Sequence, residues 1–228
     1  MKVAAAQPLQ IEIAPNATVS ALLIDPPQAR ACYVFAHGAG AGMSHASMET
    51  IATGLADRGI ATLRYQFPYM EKASKRPDSP AAAHAAVRAA VGEAARRCPK
   101  LPLIAGGKSF GGRMTSQAQA IDALPGVRGL AFLGFPLHPA GKPSSDRAKH
   151  LGEIRIPMLF LQGTRDALAE PDRLEPVVKH LGKLAKLHLV KEADHSFHVL
   201  VRSGRNDREV VAEVLDAFAA WTDTILAG

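Results

Sequence analysis

The sequence contains little cysteine and no long apolar run, and each absence excludes a class of protein. Only Cys32 and Cys98 occur among 228 residues, too few for a disulfide framework and without the spacing of a metal site. No stretch is long and apolar enough to span a bilayer, so we expect no membrane association. The N-terminus lacks the apolar segment of a signal peptide, and we therefore expect a cytoplasmic protein with reduced thiols.

The net charge is positive, but the charge is dispersed along the chain. The formal charge is +6 and the isoelectric point is about 9.5. Nucleic-acid binding requires basic residues gathered on one face, whereas the densest groups here, 96–97 and 72–76, are short and typical of solvated surface. We expect no nucleic-acid partner. An open alternative is that positive charge attracts anionic substrates to a cleft.

Apolar segments of strand length alternate with helical stripes from residue 32 onward. This alternation predicts an α/β fold, a mostly parallel sheet with helices on both faces, in one domain over residues 1–228. Two earlier segments, 9–13 and 19–24, alternate as antiparallel edge strands do. Further strands are predicted over 32–36, 60–65, 101–105, 127–133, 157–162 and 187–190. Helices are predicted over 48–55, 80–97, 113–123 and 207–226.

Residues 107–111 read Gly-Lys-Ser-Phe-Gly, between a predicted strand and a predicted helix. This pattern predicts a sharp turn that holds Ser109 in a strained, exposed conformation, with no room for side chains at Gly107 and Gly111. It favours attack on an acyl group by an activated serine. The same residues could end a nucleotide-binding Gly-x-x-x-x-Gly-Lys-Ser motif, but Pro102 stands where the first glycine is required.

A carboxylate and a histidine, the two groups that activate a serine nucleophile, follow Ser109 in the chain. Asp166 directly follows a predicted strand, so we expect it to orient the base. Asp172 and Asp194 compete for that role. His195 lies in a loop near the C-terminus and is the expected base. His198 is three residues further on, but no partners at ligand spacing accompany it, and we expect no metal and no cofactor.

The segment 37–42, His-Gly-Ala-Gly-Ala-Gly, follows another predicted strand. Glycine-rich backbone there can direct N–H groups at a developing oxyanion, and we expect the N–H groups of Ala39 and Phe110 to do so. Candidate substrate-binding side chains lie near these motifs. Lys108 and Arg113 are candidates for binding a carboxylate or phosphate, and the others are His37, Tyr65 and His138.

Only residues 134–154 are available for a lid between the predicted strands 127–133 and 157–162. That segment holds Pro136, Pro139, Gly141 and Pro143, which predicts a loop with at most a short helical turn and no large lid domain. The cleft should therefore be open. An open cleft suits small or water-soluble esters better than long-chain lipids.

Four motifs together resemble the α/β-hydrolase superfamily over nearly the whole chain: 37–40, 107–112, 163–166 and 194–197. The order Ser, Asp, His is also that of the superfamily. More narrowly, 107–113, 135–143 and 193–197 resemble the branch of testis-expressed and NSL-complex subunit 3 hydrolase-like proteins. The chain is also similar to dienelactone hydrolases, which use cysteine where this chain has Ser109.

The resemblance implies an α/β-hydrolase fold and a serine acyl hydrolase, esterase-like, that acts on a small-molecule ester. Some members of the narrower branch serve as parts of larger complexes, so a hydrolase-like binding or scaffold subunit is the alternative. The filled positions Ser109, His195 and Asp166 favour the enzyme. The sequence leaves the natural substrate and the oligomeric state open.

Overall fold

The computed structural model describes residues 5–227. Met1–Ala4, on which part of the signal-peptide expectation depends, and Gly228 lie outside the described residues. The strands are β1 (Gln7–Ala14), β2 (Ala17–Ile24), β3 (Ala31–Ala36), β4 (Ile60–Tyr65), β5 (Leu103–Lys108), β6 (Val127–Leu133), β7 (Met158–Gly163) and β8 (Ala185–Val190). The α-helices are α1 (Ala46–Ala56), α2 (Pro68–Glu71), α3 (Pro80–Arg97), α4 (Phe110–Ile121), α5 (Pro171–Leu181) and α6 (Asp207–Ala227).

The eight strands form one sheet in the order β1-β2-β4-β3-β5-β6-β7-β8. β1 and β2 pair antiparallel, β2 pairs antiparallel with β4, and all the other neighbours are parallel. The prediction of a mostly parallel sheet that begins with an antiparallel pair is confirmed. Of that pair, β1 lies at an edge of the sheet, whereas β2 lies between β1 and β4 and is not the edge strand that was predicted. The carboxyl ends of β3, β5, β6, β7 and β8 meet at one edge, where ligands bind in sheets of this kind.

Helices cover both faces of the sheet because the central strands are apolar on both. In β3, Cys32 and Val34 belong to the core beneath α3, α4 and α5, whereas Tyr33 and Phe35 belong to the core beneath α1 and α6. Alternation along a strand sends successive side chains to opposite faces. The predicted apolar stripe of α6 is buried, as expected for core packing: Val210, Val214, Phe218, Trp221 and Ile225.

Two helices are not foreseen from the sequence, one because it is short and the other because it contains a proline. α2 spans four residues and starts at Pro68, so it is too short to produce a periodic stripe. α5 contains Pro176 inside the helix, where proline removes a backbone donor and usually indicates a break. By contrast, α3 begins as predicted, with Pro80 in its first turn and Ser79 as N-cap.

The segment between β6 and β7 contains a loop and a 3₁₀ helix, Asp146–Glu153. No separate lid domain covers the sheet edge in the described part of the chain, as predicted. Within residues 5–227, no helix has the length and apolar character needed to cross a membrane.

Candidate active site

Ser109 lies in the turn between β5 and α4, with φ 51° and ψ −114°. Only a few per cent of residues other than glycine have positive φ, and such a conformation costs about 1–3 kcal/mol. The predicted strained turn is present. The predicted element boundaries were shifted, because β5 continues to Lys108 and α4 begins at Phe110.

Close backbone packing explains why glycine is found at 107 and 111. A Cβ atom at Gly107 would lie 2.5 Å from the carbonyl oxygen of Ala36, and one at Gly111 would lie 2.6 Å from the same oxygen. Real Cβ atoms do not approach oxygen so closely. The prediction that neither position has room for a side chain is confirmed.

The structure brings Ser109, His195 and Asp166 into contact. His195 Nε2 lies 2.9 Å from Ser109 Oγ, and His195 Nδ1 lies 2.6 Å from Asp166 Oδ2. An ionised carboxylate can only accept, so Nδ1 carries the proton and donates it to Asp166. Nε2 is then free to accept a hydrogen bond from the Ser109 hydroxyl.

Asp166 is buried, and it is held by groups that the sequence analysis did not single out. The N–H of Leu168 donates to its Oδ1 at 2.8 Å, and Gln162 Nε2 donates to its Oδ2. Gln162 is itself fully buried and accepts from the N–H of Phe135 at 2.8 Å. A polar residue in the apolar run of β7 was the available signal, because a buried amide requires partners.

Asp194 and Asp172, the other two candidates for orienting His195, make different contacts. Asp194 Oδ1 accepts from the N–H groups of Ser196 and His198 at 2.8 and 3.0 Å, so it shapes the loop that carries His195. Asp172 is exposed in the first turn of α5. His198 pairs with Asp207 at 2.8 Å on the surface.

Lys108 connects the serine turn to the histidine loop. Its ammonium group donates to the carbonyl oxygen of His195 and lies 5.1 Å from the ring centroid of Phe197. Burial lowers its pKa to about 8, although the charges of Asp166 and Asp194 oppose the shift. This ammonium is therefore already bound within the protein, which argues against the expected contact with a substrate anion.

The loop after β3 lies against the serine turn. A Cβ atom on Gly38 would be 3.8 Å from Ser109 Cβ, and the next residue in this loop is Ala39. Neither the N–H of Ala39 nor that of Phe110 donates to a protein acceptor in residues 5–227. The next N–H in the loop, that of Gly40, donates to Tyr69 Oη at 2.9 Å and so holds the loop in place.

Three of the expected substrate-binding side chains are buried. His37 Nδ1 donates to the Gly38 carbonyl at 2.7 Å, its Nε2 accepts from the N–H of Phe67 at 3.1 Å, and burial lowers its pKa. His138 contacts Glu170 at 2.7 Å. His37, Tyr65 and His138 are at most 1% exposed. This burial argues against direct substrate contact and indicates a structural role.

Solved structures of hydrolases share this fold. A dienelactone hydrolase from Anabaena variabilis has a TM-score of 0.76 and 17% identity, covering 95% of this chain and 96% of that one. A serine hydrolase without a lid from Xanthomonas campestris has a TM-score of 0.72 and 18% identity, covering 95% of this chain and 94% of that one. An esterase domain from Rhodothermus marinus has a TM-score of 0.72 and 17% identity, covering 95% of this chain and 97% of that one. At such identities the likeness shows the fold alone.

A family described as "Alpha/beta hydrolase domain" matches residues 29–223 of the sequence. The match covers most of the chain, including the loop after β3, the serine turn and the ends of β7 and β8. The chain therefore belongs to the α/β-hydrolase family.

Proposed function

We propose that the protein is a serine acyl hydrolase, esterase-like, that acts on small or water-soluble esters. One observation carries the proposal: Ser109 contacts His195 at 2.9 Å, and His195 contacts Asp166 at 2.6 Å. A hydroxyl, an imidazole and a carboxylate at these distances are the parts of an activated nucleophile.

The reaction follows from the proton positions. His195 Nε2 takes the Ser109 proton while Oγ forms a bond to the carbonyl carbon of the ester. The imidazolium then gives that proton to the leaving alcohol, the ester C–O bond breaks, and an acyl-serine remains. Water, deprotonated in turn by His195, attacks the acyl carbon. The bond between that carbon and Ser109 Oγ then breaks, the carboxylic acid leaves, and the imidazolium returns the proton to Oγ. Asp166 stays ionised throughout, keeps the imidazole oriented and stabilises its cation.

The N–H groups of Ala39 and Phe110 are proposed to hold the oxyanion. Both lack protein acceptors within the described residues. Phe110 directly follows Ser109, and Ala39 follows Gly38, where a Cβ atom would lie 3.8 Å from Ser109 Cβ. Phe110 is also the first residue of α4, so the positive end of the helix dipole faces the developing charge. Each such donor is worth about 3–4 kcal/mol in the transition state.

An ester of modest size is the substrate class that the site supports best. No lid domain covers the edge of the described sheet, so a long acyl chain would stay in water. Ester, thioester, lactone and amide bonds can all be cleaved by these groups. The similar structures named as esterase and dienelactone hydrolase support carboxylic esters.

We also propose that the chain belongs to the branch of testis-expressed and NSL-complex subunit 3 hydrolase-like proteins, folds as one domain and works in the cytoplasm. The motifs at 107–113 and 193–197 support the branch. Cys32 and Cys98 are both buried free thiols, which supports a reducing compartment.

A fluorophosphonate probe tests the proposal directly. We expect covalent labelling of the wild type, mapped to the peptide that contains Ser109 and absent from Ser109→Ala. Ser116→Ala is a matched control, because Ser116 also contacts a histidine, His150, at 2.7 Å but is fully buried. Labelling should persist in that variant. A folded wild type that does not label would favour the scaffold alternative.

A further inference from the structure

One partly exposed side of α4 begins at Ser109 and lies between the two elements that flank this helix. α4 packs against α3 and against the 3₁₀ helix Asp146–Glu153. Ser109, Arg113 and Gln117 follow one another at intervals of four residues and so lie on one side of the helix. All three are half-buried.

Four half-buried side chains define what we call the arginine face: Arg113 and Gln117 on α4, His84 on α3, and Arg147 on the 3₁₀ helix. The Arg113 guanidinium lies 5.8 Å from the ring centroid of Phe110, the residue next to the nucleophile. His84 Nε2 lies 3.3 Å from Gln117 Oε1. The arginine face therefore borders the serine turn.

The two arginines of this face lack counter-charges. Within residues 5–227, neither Arg113 nor Arg147 forms an ion pair, and Arg113 Nε is buried without a hydrogen-bond acceptor. Asp146, which precedes Arg147, pairs with Lys149 at 2.6 Å. Arg88, further along the same surface, is paired with Asp122 at 3.2 Å. Counter-charges are thus present around the face but absent from it.

Burial and nearby positive charges both lower pKa values on and beside the arginine face. Burial, and then the charge of Arg147, lower the pKa of Arg113. Burial, and then the charges of Arg113 and His84, lower the pKa of His150 to about 4. Half-burying guanidinium groups without an acceptor costs free energy, because each loses hydration. A bound anion would recover that cost.

We propose that the arginine face binds an anionic group of the substrate, a carboxylate or a phosphate, beside the ester bond that Ser109 attacks. The inference rests on the proposed function and adds that the substrate carries a negative charge. The planar, five-donor guanidinium matches both groups in two-pronged geometry. Lys108 is not part of this site because its ammonium group is bound to the histidine loop.

A pair of esters that differ only in charge tests the inference. Mono-p-nitrophenyl adipate carries a free carboxylate, and its methyl ester carries none. We expect the wild type to favour the anionic ester in kcat/KM. Arg113→Gln and Arg147→Gln, on different elements, should each lower the ratio of anionic to neutral kcat/KM about tenfold, the size of one charge-assisted hydrogen bond.

Arg128→Gln is the matched control for loss of one positive charge. Arg128 is exposed at the start of β6, at the opposite end of the sheet from the serine turn. The ratio should stay at the wild-type value in this variant. An equal fall in all three variants would mean only a general effect of net charge, and an unchanged ratio in both Arg113→Gln and Arg147→Gln would overturn the inference.

Binding without turnover separates this inference from the proposed function. Hexanoate, which has a carboxylate but no ester bond, should shift the imidazole NMR signals of His84 and His150 in the wild type and not in the Arg113→Gln, Arg147→Gln double variant. Shifts without any ester hydrolysis would support the anion site and contradict the esterase. Hydrolysis without shifts and without charge preference would support the esterase and overturn the anion site.

Discussion

At the scale of single residues, the conformation of Ser109 is maintained by its neighbours. Its φ of 51° is unfavourable for a residue with a side chain. Backbone from β3 lies against Gly107 and Gly111, and this contact leaves the turn no alternative packing. The glycine pattern was readable from the sequence because its physical reason is local. The role of the buried Gln162 was not, because it also depends on the N–H of Phe135, 27 residues away in the sequence.

Gly111→Ala should destabilise the protein. The new Cβ would lie 2.6 Å from the carbonyl oxygens of Ala36 and His37, and relieving that overlap should lower the free energy of unfolding by about 3 kcal/mol. Urea denaturation measures the change. Gly92→Ala, on the exposed side of α3 with no atom within 4 Å of the new Cβ, should instead stabilise by about 0.5–1 kcal/mol. Equal effects would contradict the packing argument.

Lys108→Met should lower kcat more than it changes KM. The ammonium group holds the carbonyl of His195, so its loss should let the imidazole move away from Ser109 by a fraction of an ångström. Lys108 is protonated below its pKa of about 8 and neutral above it. Wild-type kcat should therefore fall as the pH rises through about 8, and the variant should lack this fall. Identical alkaline limbs in both proteins would remove Lys108 from the account.

At the scale of elements, segments with strong periodic patterns were predicted closely. β4 and β6 have the predicted limits, because each is a short apolar run that ends at a loop. β5 extends to Lys108, beyond the predicted end at residue 105. The prediction stopped early because Gly106 and Gly107 have no apolar side chains, but both glycines pair with β3 and β6. The contact of Ser109, His195 and Asp166 follows from parallel strands that end at one edge.

The loops after β7 and β8 give their two aspartates different tasks. Asp166→Asn removes the ionised partner of His195 and should lower kcat by about 10⁴-fold. Asp194→Asn keeps an oxygen that can accept from the N–H groups of Ser196 and His198, so kcat should stay within about tenfold of the wild type, whereas Asp194→Ala should lose more. Steady-state kinetics on one ester tests this order. A larger loss in Asp194→Asn than in Asp166→Asn would reverse the assignment.

At the scale of the whole molecule, the proposed range of substrates depends on the open edge of the sheet. No lid domain covers this edge in the described residues, so acyl chains gain little apolar burial as they lengthen. Among p-nitrophenyl esters from acetate to octanoate, kcat/KM should be highest for the shorter chains. If kcat/KM instead rises steadily to octanoate, the site contains an apolar channel, and the substrate class proposed above is wrong.

The net charge of +6 alone does not indicate which basic residues lie together, and the fold does. In the sequence, the basic residues are scattered, and within residues 5–227 nine arginines and lysines pair with carboxylates. The folded chain brings together Arg113 and Arg147 from separate elements without a counter-charge, which no linear pattern indicates.

Hydrolysis of p-nitrophenyl acetate by the wild type and by Ser109→Ala tests the central claim most directly. We predict turnover by the wild type and a loss of at least about a thousandfold in the variant, because the nucleophile is removed while the fold remains. Circular dichroism verifies that the variant is folded. Turnover that survives in a folded Ser109→Ala protein would contradict the account.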